Sequence, residues 1–378
     1  MNIPYHDVPA PAFVLDVSRL RRNLRTLAHV QREADVSIIL ALKGFALWRV
    51  FPLIREYLQG ATASSLWEAQ LIREEMGERA HTYAPVYLPE DFDRVLTLSS
   101  HLTFNSLQEF YRFREKALGT DCSLGLRVNP EYSEVETDLY NPALPGSRLG
   151  MLADQLPEQL PEGISGLHVH TLCESSAQAT AQLIGAVERR FGAWIDQLSW
   201  INLGGGHLMT RPGYDLAHLI QSLRAFRQKY PHLKVILEPG SAVAWETGEL
   251  VARILDIVDN GGVKTAMLDV SFTAHMPDTL EMPYRPKILG ATDPAPGKPT
   301  YRLGGCSCLA GDYLEEYAFD QPLRTGDQLI LLDMMHYTMV KTTTFNGVRH
   351  PAICLWREDQ QLEVVRRFRY ADFKNRLS

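Results

Sequence analysis

Apolar and polar positions alternate along the first two thirds of the chain in a way that predicts strands separated by helices. Short apolar runs that are typical of buried strands recur between residues 36 and 240. The eight predicted strands are 36–43, 60–64, 79–87, 101–106, 122–129, 163–171, 198–204 and 233–240. Amphipathic patterns of helical period lie between most of them, at 48–58, 65–77, 89–98, 106–117, 178–196 and 214–230.

This alternation predicts a closed barrel. Short, mostly apolar strands joined by helices favour a parallel sheet that is covered on both faces, and eight such units fit a (β/α)8 TIM-like barrel. An open doubly wound sheet is the alternative, but the first strand-to-helix turn, 43–46, lacks the glycine pattern of a dinucleotide-binding turn. The proline-rich stretch 130–162 predicts a long loop on the rim, with one short helical segment near 152–160.

The pattern changes after about residue 245, where strand-like runs follow one another without convincing helices. These runs are 248–259, 263–271, 299–305, 327–333, 348–356 and 361–368. Turn-forming clusters of Asn, Gly and Pro separate them. We therefore predict an α/β barrel over residues 15–245 and an all-β, sandwich- or barrel-like domain that is formed by residues 1–14 and 246–378.

Composition narrows the functional classes. With 38 Lys and Arg against 45 Asp and Glu, the net charge of −7 argues against sequence-independent nucleic-acid binding, which needs basic faces. The five cysteines are sparse and odd in number, so they indicate no disulfide framework. The chain begins without a signal-peptide pattern, and no apolar run reaches the length of about 18 residues that spans a bilayer. These features predict a cytoplasmic protein with no membrane or nucleic-acid partner.

Residues with reactive or binding groups fall at the predicted strand ends, where barrels of this kind gather their active sites. Lys43 closes the first strand. A lysine that ends a buried strand is poorly solvated, which lowers the pKa of its amine and favours Schiff-base chemistry. The alternative is a lysine whose ammonium reaches solvent at the rim, which is the more frequent arrangement for a single Lys.

The sixth and seventh strands end in His168 with His170, and in Gly204, Gly205 and Gly206. The spacing of the histidines places both imidazoles on one face. They fit a ring that stacks on a flat ligand, a pair of core histidines, or a metal pair that lacks a third ligand. The glycines offer backbone N–H groups to a phosphate, or simply form a tight turn.

Glu238 ends the eighth strand, where a carboxylate needs a cation or a proton donor as its partner. That partner is either Arg127, at the end of the fifth strand, or a protonated ring nitrogen of a cofactor. Each of these signals is weak alone. Together, a lysine for an imine, a stacking ring, a phosphate loop and a carboxylate predict a pyridoxal phosphate site.

Longer motifs add a family resemblance. The segments PAFVLD, ALKGF, LRVNP, HVH, LGGG, EPG, CLAGD and DMMHYT with TFNG resemble the fold-type III pyridoxal phosphate decarboxylases, the alanine racemase-like or ornithine decarboxylase-like group, over nearly the whole chain. Residues 170–174, 275–278, 280–286 and 305–312 are similar to the members that act on carboxynorspermidine or carboxyspermidine. The resemblance implies a pyridoxal phosphate-dependent carboxy-lyase of spermidine biosynthesis, working as a homodimer with shared active sites.

The resemblance also implies roles for individual residues. Lys43 carries the cofactor as an imine, His170 stacks on its ring, and Glu238 pairs with its pyridine nitrogen. The remaining cofactor-binding candidates are Arg127, Gly204, Gly205, Gly206, Ser241 and Tyr337. Cys308, the candidate proton donor, and Asp312 reach the active site of the partner subunit. The candidates for substrate binding are Glu174, Asp278, Glu281, Arg285 and Asp312.

Two positions depart from the family pattern. Ser241 follows Glu-Pro-Gly where relatives usually carry a phosphate-binding Arg, so the phosphate must rely on backbone N–H groups, Ser241 and Tyr337. Leu172-Cys173 stands where relatives carry Gly-Ser. The alternatives to a polyamine enzyme are a diaminopimelate- or ornithine-type decarboxylase of the same fold, and a silent regulator that binds an active homologue. The intact Lys43 and Glu238 speak against the regulator.

Overall fold

The computed structural model describes residues 3–281 and 284–378; Met282 and Pro283, which belong to the motif 280–286, lie outside the described residues. The chain forms two compact units. The first is Arg22–Val243, and the second combines the described residues up to Arg21 with those from Ala244 onward. No helix in these ranges is both long enough and apolar enough to cross a membrane.

The strands and helices are numbered in chain order. The strands are β1 (Ala12–Asp16), β2 (Ser37–Ile38), β3 (Leu40–Ala41), β4 (Ala61–Ala63), β5 (Ala80–Tyr83), β6 (Ser99–Phe104), β7 (Ser123–Arg127), β8 (Ile164–His168), β9 (Trp200–Asn202), β10 (Lys234–Leu237), β11 (Gly248–Asn260), β12 (Val263–Leu268), β13 (Ala291–Thr292), β14 (Thr300–Gly304), β15 (Tyr313–Phe319), β16 (Gln328–Leu331), β17 (Ala352–Trp356) and β18 (Leu362–Arg366). The helices are α1 (Val17–Ala34), α2 (Phe51–Arg55), α3 (Leu66–Glu75), α4 (Phe92–Leu98), α5 (Leu107–Leu118), α6 (Ala177–Phe191), α7 (Leu216–Lys229), α8 (Ser241–Ala244), α9 (Phe272–His275), α10 (Asp278–Glu281) and α11 (Tyr370–Lys374).

The first unit is a parallel barrel. Its strands follow the order β2-β10-β9-β8-β7-β6-β5-β4-β3. β2 and β3 are two halves of one strand, interrupted at Ile39, and they pair in parallel with different neighbours, β10 and β4. This pairing closes the sheet, because both ends of the order belong to the same strand. The (β/α)8 prediction is confirmed, and the open doubly wound alternative is wrong.

Local sequence explains where several of the barrel helices begin. Ser65, Ser106 and Ser176 directly precede α3, α5 and α6, and each hydroxyl accepts a hydrogen bond from the backbone N–H three residues further on. A serine in this position stabilises a helix by about 1 kcal/mol relative to alanine. The strands of the barrel are buried, as in β4 and β9, in keeping with the apolar runs that predicted them.

Two features differ from the sequence predictions. Helix α1 is absent from them, although Leu20, Leu24 and Leu27 recur at helical spacing and are fully buried. The helical segment expected near 152–160 is only a 3₁₀ turn, Ala153–Gln155. Pro157 follows this turn closely and cannot continue a helix, because it lacks the N–H and clashes with the preceding turn.

The second unit is built on a mixed sheet. Its order is β13-β15-β14-β12-β11-β1-β17-β18, with β16 also paired to β11. The amino-terminal strand β1 lies inside this sheet, antiparallel to β11 and parallel to β17. Each of the strand runs predicted after residue 245 contains an observed strand, and β13 and β15 are additional. The predicted β domain is confirmed, with the short helices α9 to α11 added to it.

Candidate active site

The carboxyl ends of the barrel strands bring the predicted site residues into one hydrogen-bonded network. Lys43 follows β3, His170 follows β8 and Glu238 follows β10. Lys43 Nζ lies 3.0 Å from His170 Nε2, and the backbone nitrogen of Gly205 lies 2.9 Å from His170 Nδ1. Asn202, at the end of β9, donates to Glu238 and also binds the glycine loop. Residues from four strand ends therefore meet at one end of the barrel.

The hydrogen bonds of His170 fix the tautomer of its ring. A backbone N–H can only donate, so His170 Nδ1 accepts the bond from Gly205 and carries no proton. The neutral ring then bears its proton on Nε2, which faces Lys43 Nζ. Because Nε2–H can donate only to an amine with a free electron pair, this contact requires an uncharged Lys43.

Burial lowers the pKa of both groups in this contact. For Lys43, burial moves the pKa below 10.5; nearby Glu238 opposes the shift and Arg127 adds to it. This burial concerns the amine itself, because the Lys43 side chain as a whole is exposed. The pKa of His170 is well below 6.5, through burial first and the nearby Lys43 second. The site thus holds an uncharged and reachable amine.

Glu238 receives hydrogen bonds from two buried side chains. His168 Nε2 lies 3.2 Å from its Oε2, and Asn202 Nδ2 lies 2.6 Å from its Oε1. Burial by itself raises the pKa of Glu238, but His168 and Asn202 outweigh it and lower the pKa to about 2. Glu238 is therefore ionised. Arg127, the partner considered from the sequence, forms no ion pair with it in the described chain.

The glycines let the loop after β9 pack between the loops after β8 and β10. Gly204 and Gly206 have φ angles of 71° and 89°, which glycine adopts without strain. A Cβ on Gly205 would lie only 2.5 Å from the carbonyl oxygen of Glu238. The N–H groups of Gly204 and Gly205 are already bonded to Asn202 and His170. Within residues 3–281 and 284–378, the N–H of Gly206 has no protein acceptor and stays available to a ligand.

Arg127 supports the site from inside the barrel. It is 4% exposed, and its Nη2 donates to the carbonyl oxygen of His170 at 3.0 Å. Its guanidinium lies 4.5 Å from the centroid of the Tyr83 ring, a cation–π contact. Arg127 thus positions the backbone that carries His170.

Two further candidates of the barrel unit lie near these loops. Ser241 begins α8 directly after the Glu238 loop, and Glu174 is exposed in the loop after β8.

In the second unit, Asp278 forms a polar cluster with two hydroxyl groups. Its Oδ2 accepts hydrogen bonds from Thr338 at 2.8 Å and from Tyr284 at 3.2 Å. Its Oδ1 is buried and has no hydrogen-bond partner among the described residues. Tyr337 precedes Thr338 and has a φ of 46°. Asp278 therefore keeps one acceptor for a cationic or hydroxyl group.

Two further candidates are engaged within the second unit. Glu281 pairs with Lys341. Arg285 lies 3.8 Å from the centroid of the Tyr317 ring and pairs with Asp293 at 3.3 Å. These contacts account for the charges of Glu281 and Arg285 without a substrate.

In the segment that holds Cys308 and Asp312, the Asp312 carboxylate is hydrogen-bonded within the protein, whereas the Cys308 side chain is exposed. Asp312 is 4% exposed, and its two carboxylate oxygens accept the backbone N–H groups of Thr273 and Ser307, each at 3.0 Å. Cys308 is exposed, and its backbone N–H donates to Asn346 Oδ1 at 2.8 Å. The Asp312 carboxylate orders the loop, and the Cys308 thiol is accessible.

Asn202 is the site residue that the sequence reasoning missed. Its Nδ2 donates to Glu238 while its Oδ1 accepts the N–H of Gly204 at 2.9 Å, so one amide couples the two loops. A signal was present in the sequence. A single amide that closes an apolar strand two residues before the glycines needs hydrogen-bond partners in the core.

The arrangement fits pyridoxal phosphate. An aldehyde requires an uncharged amine, which Lys43 provides. A protonated pyridine nitrogen requires an anion, and Glu238 is a buried carboxylate that forms no ion pair with a lysine or arginine of the described chain. The flat imidazole of His170 and the available N–H of Gly206 match a ring and a phosphate.

Comparisons with known proteins point the same way. The family described as "Pyridoxal-dependent decarboxylase, C-terminal sheet domain" matches residues 12–335. The carboxyaminopropylagmatine decarboxylase of Synechocystis sp. is 54% identical over 98% of this chain and 96% of that protein. The carboxynorspermidine/carboxyspermidine decarboxylase of Campylobacter jejuni is 42% identical over 98% of this chain and 99% of that protein. A crystal structure of carboxynorspermidine decarboxylase with norspermidine, from Campylobacter jejuni, has a TM-score of 0.90 at 41% identity, and the match covers 98% of this chain and 100% of that one.

The family match includes both the barrel that holds Lys43 and Glu238 and most of the second sheet. The relatives extend over nearly the whole length of the chain. The chain therefore belongs to the pyridoxal-dependent decarboxylase family, and pyridoxal phosphate is its cofactor.

Proposed function

We propose that this protein decarboxylates the carboxyaminopropyl end of a polyamine in the biosynthesis of spermidine or a related polyamine. The candidate substrates are carboxynorspermidine, carboxyspermidine and carboxyaminopropylagmatine. These compounds share the reacting end, in which one carbon bears both a carboxylate and an amine. The observation that carries the proposal is the meeting of Lys43, His170 and Glu238 at the carboxyl ends of the barrel strands, in a chain that matches decarboxylases of such compounds over 98% of its length.

Pyridoxal phosphate, when bound, supplies the electron sink for the electron pair of the breaking bond between the α-carbon and the carboxylate. Lys43 would bind the cofactor through its amine, and His170 would lie against the ring. Glu238 would hold a proton on the pyridine nitrogen. The phosphate would be bound by Gly206, Ser241 and Tyr337, since no arginine follows Glu-Pro-Gly here.

The reaction releases carbon dioxide and puts a proton on the α-carbon in its place. Cys308 is our candidate for the donor of this proton, because its thiol is exposed. The transfer leaves a thiolate, which takes up a proton from water before the next turnover.

Asp278 is our first candidate for the distant cationic end of the substrate. Its Oδ1 lacks a partner in the described part of the chain, and an ammonium or guanidinium would satisfy it with a charge-assisted hydrogen bond. Glu174, which is exposed, is the second candidate. Glu281, Arg285 and Asp312 have weaker support, because their charged groups are already engaged.

The proposed function predicts carbon dioxide release from carboxylated polyamines in preference to amino acids. We expect kcat/KM for the best carboxylated polyamine to exceed that for diaminopimelate, ornithine or arginine by about 100-fold or more, because a buried acceptor such as Asp278 stays unpaired with the wrong substrate. The measurement is carbon dioxide release by the cofactor-loaded protein over this panel.

Other outcomes of the panel contradict the proposal. Faster turnover of diaminopimelate or ornithine would make the protein an amino-acid decarboxylase. No release from any compound, together with no absorbance band of bound cofactor, would favour the silent regulator. Among the polyamines, the preferred substrate reports whether the distant site favours an ammonium or a guanidinium.

We also propose that the protein is a homodimer with shared active sites, with Cys308 serving the partner's site. We predict that Lys43→Ala and Cys308→Ala are each nearly inactive alone. Random reassortment of an equal mixture makes about half of the dimers hybrid, each with one complete site, so roughly a quarter of wild-type activity should return. The measurement is carbon dioxide release before and after the two variants exchange subunits.

The same experiment distinguishes two alternative roles of Cys308. If Cys308 acts within its own chain, every site keeps a defect and the activity stays low. If Cys308→Ala alone is nearly normal, the thiol is not the proton donor.

We propose a cytoplasmic location as well. All five cysteines are free thiols, and Cys173, Cys306 and Cys308 are exposed. Exposed thiols of this kind are typical of a reducing compartment.

A further inference from the structure

His168 is a buried imidazole next to Glu238, and it has no part in the roles described above. It ends β8 and is 2% exposed, and its Nε2 lies 3.2 Å from Glu238 Oε2. Its Nδ1 is also buried, and no described residue forms a hydrogen bond with it. One ring nitrogen is therefore engaged and the other is not.

This asymmetry decides the protonation state of the ring. An ionised carboxylate can only accept, so the shared proton lies on His168 Nε2. A second proton, on Nδ1, would be a buried donor that faces no acceptor in the described chain, which is costly. The geometry thus favours the neutral ring with its proton on Nε2.

The surroundings act in the same direction. The titratable groups around the ring are Lys43, His81, Tyr83, Arg127, His170 and Glu238. Burial is the largest influence and lowers the pKa of His168; Glu238 raises it, while Arg127 and Lys43 lower it further. The resulting pKa lies below 6.5, so the ring is neutral at pH 7.

We propose that His168 is a positioning residue for the cofactor, which orients Glu238 by a hydrogen bond but brings no charge of its own. The full negative charge of Glu238 then remains for a protonated pyridine nitrogen. Asn202, the other donor to Glu238, is also uncharged. A charged imidazolium would instead neutralise Glu238 within the protein, and the pyridine nitrogen would lose its anionic partner. The inference rests on the cofactor of the family and not on which polyamine is the substrate.

The protonation state can be measured by nitrogen-15 NMR of protein labelled in its histidines, before and after loading with pyridoxal phosphate. The signals of His168 are identified as those lost in His168→Gln. We expect one protonated and one bare ring nitrogen at pH 7 and above in both states. A ring with both nitrogens protonated at pH 7 would overturn the inference.

Two variants test the positioning role through cofactor binding. The affinity is measured for pyridoxal phosphate and for its deaza analogue, in which a carbon replaces the ring nitrogen. The wild-type protein should prefer pyridoxal phosphate, and His168→Leu should lose about tenfold or more of that preference, because one donor to the carboxylate is gone. His168→Gln keeps a neutral N–H donor and should retain most of the preference.

His207→Leu is the matched control. His207 is also buried, next to the glycine loop, but it bonds Thr180 at 2.9 Å and not Glu238. Its loss should lower the affinity for pyridoxal phosphate and for the deaza analogue by the same factor. The same equal weakening in His168→Leu would mean that His168 has only a structural role, and the proposal would fail.

These measurements use no substrate, so their outcome is separate from that of the polyamine panel. A failed panel with the expected NMR and affinity results would reject the proposed substrates and keep the role of His168. The reverse outcome would keep the substrates and reject that role. Should His168→Leu not fold, the NMR measurement on the wild-type chain decides.

Discussion

Replacing Lys43 with alanine will remove the absorbance band of covalently bound cofactor and reduce decarboxylation by several orders of magnitude. Lys43 supplies the uncharged amine at the carboxyl ends of the barrel strands, 3.0 Å from His170 Nε2. Alanine removes this amine and leaves the backbone of the strand unchanged. Absorbance spectra of the cofactor-loaded protein, borohydride trapping and carbon dioxide release measure the effect.

Lys234→Ala is the control for this experiment. Lys234 is the first residue of β10, so it lies at the opposite ends of the barrel strands, and it is exposed. Its loss should leave the spectrum and the turnover unchanged. If Lys43→Ala keeps the band of bound cofactor, another amine binds it and our assignment is wrong.

The lowered pKa of Lys43 allows a second test of Lys43 as the residue that binds the cofactor. An amine is uncharged above its pKa, so a pKa below 10.5 extends the uncharged form towards neutral pH. The rate of cofactor uptake by the cofactor-free protein should therefore reach its plateau at a lower pH than an ordinary lysine would give. Uptake that still rises through pH 10.5 would show that Lys43 is charged at neutral pH.

Glu238→Gln will give a folded, cofactor-loaded protein whose kcat is lowered by about 100-fold or more. Glutamine keeps the shape of the side chain but removes its negative charge. The pyridine nitrogen then loses the anion that keeps it protonated, and the cofactor accepts electrons less readily. Because Glu238 is assigned to the pyridine nitrogen and not to the substrate, we expect KM to change little, and steady-state kinetics separates the two quantities.

Glu109→Gln is a matched control, since both glutamates are 8% exposed. Glu109, in the first turn of α5, accepts the backbone N–H groups of Tyr87, between β5 and α4, and of Asn105, just before α5, which is a structural task. Its replacement should lower thermal stability and leave kcat near the wild-type value. Normal turnover of Glu238→Gln would reject the electronic role of Glu238.

The barrel and the residues at its strand ends could be predicted because their signals are local. The period of the apolar runs indicates the strands, and the strand ends determine which side chains meet. The partners of those side chains could not be predicted in this way. Glu238 is bonded to His168 and Asn202 and not to Arg127, since this choice depends on which side chains share the barrel interior.

The candidates of the second unit were harder to assess from the sequence. Asp312 and Arg285 are charged residues in motifs, and a motif does not show whether a charged side chain is already paired or hydrogen-bonded within the protein. Backbone N–H groups occupy the Asp312 carboxylate, and the Tyr317 ring and Asp293 hold Arg285. Such contacts arise from turns and long-range packing, which periodicity does not report.

The position of β1 inside the second sheet has a consequence for biosynthesis. Ala12 pairs with Val251 on one side and with Ala352 on the other, so the sheet joins the earliest and the latest parts of the chain. During synthesis, the five buried residues of β1 emerge long before either neighbour exists. An apolar strand with both edges unpaired is prone to wrong pairing, so the nascent chain depends on prompt completion or on a chaperone. The unit that forms around β1 is thus the last to be finished on the ribosome, although its first strand is among the first segments to be made.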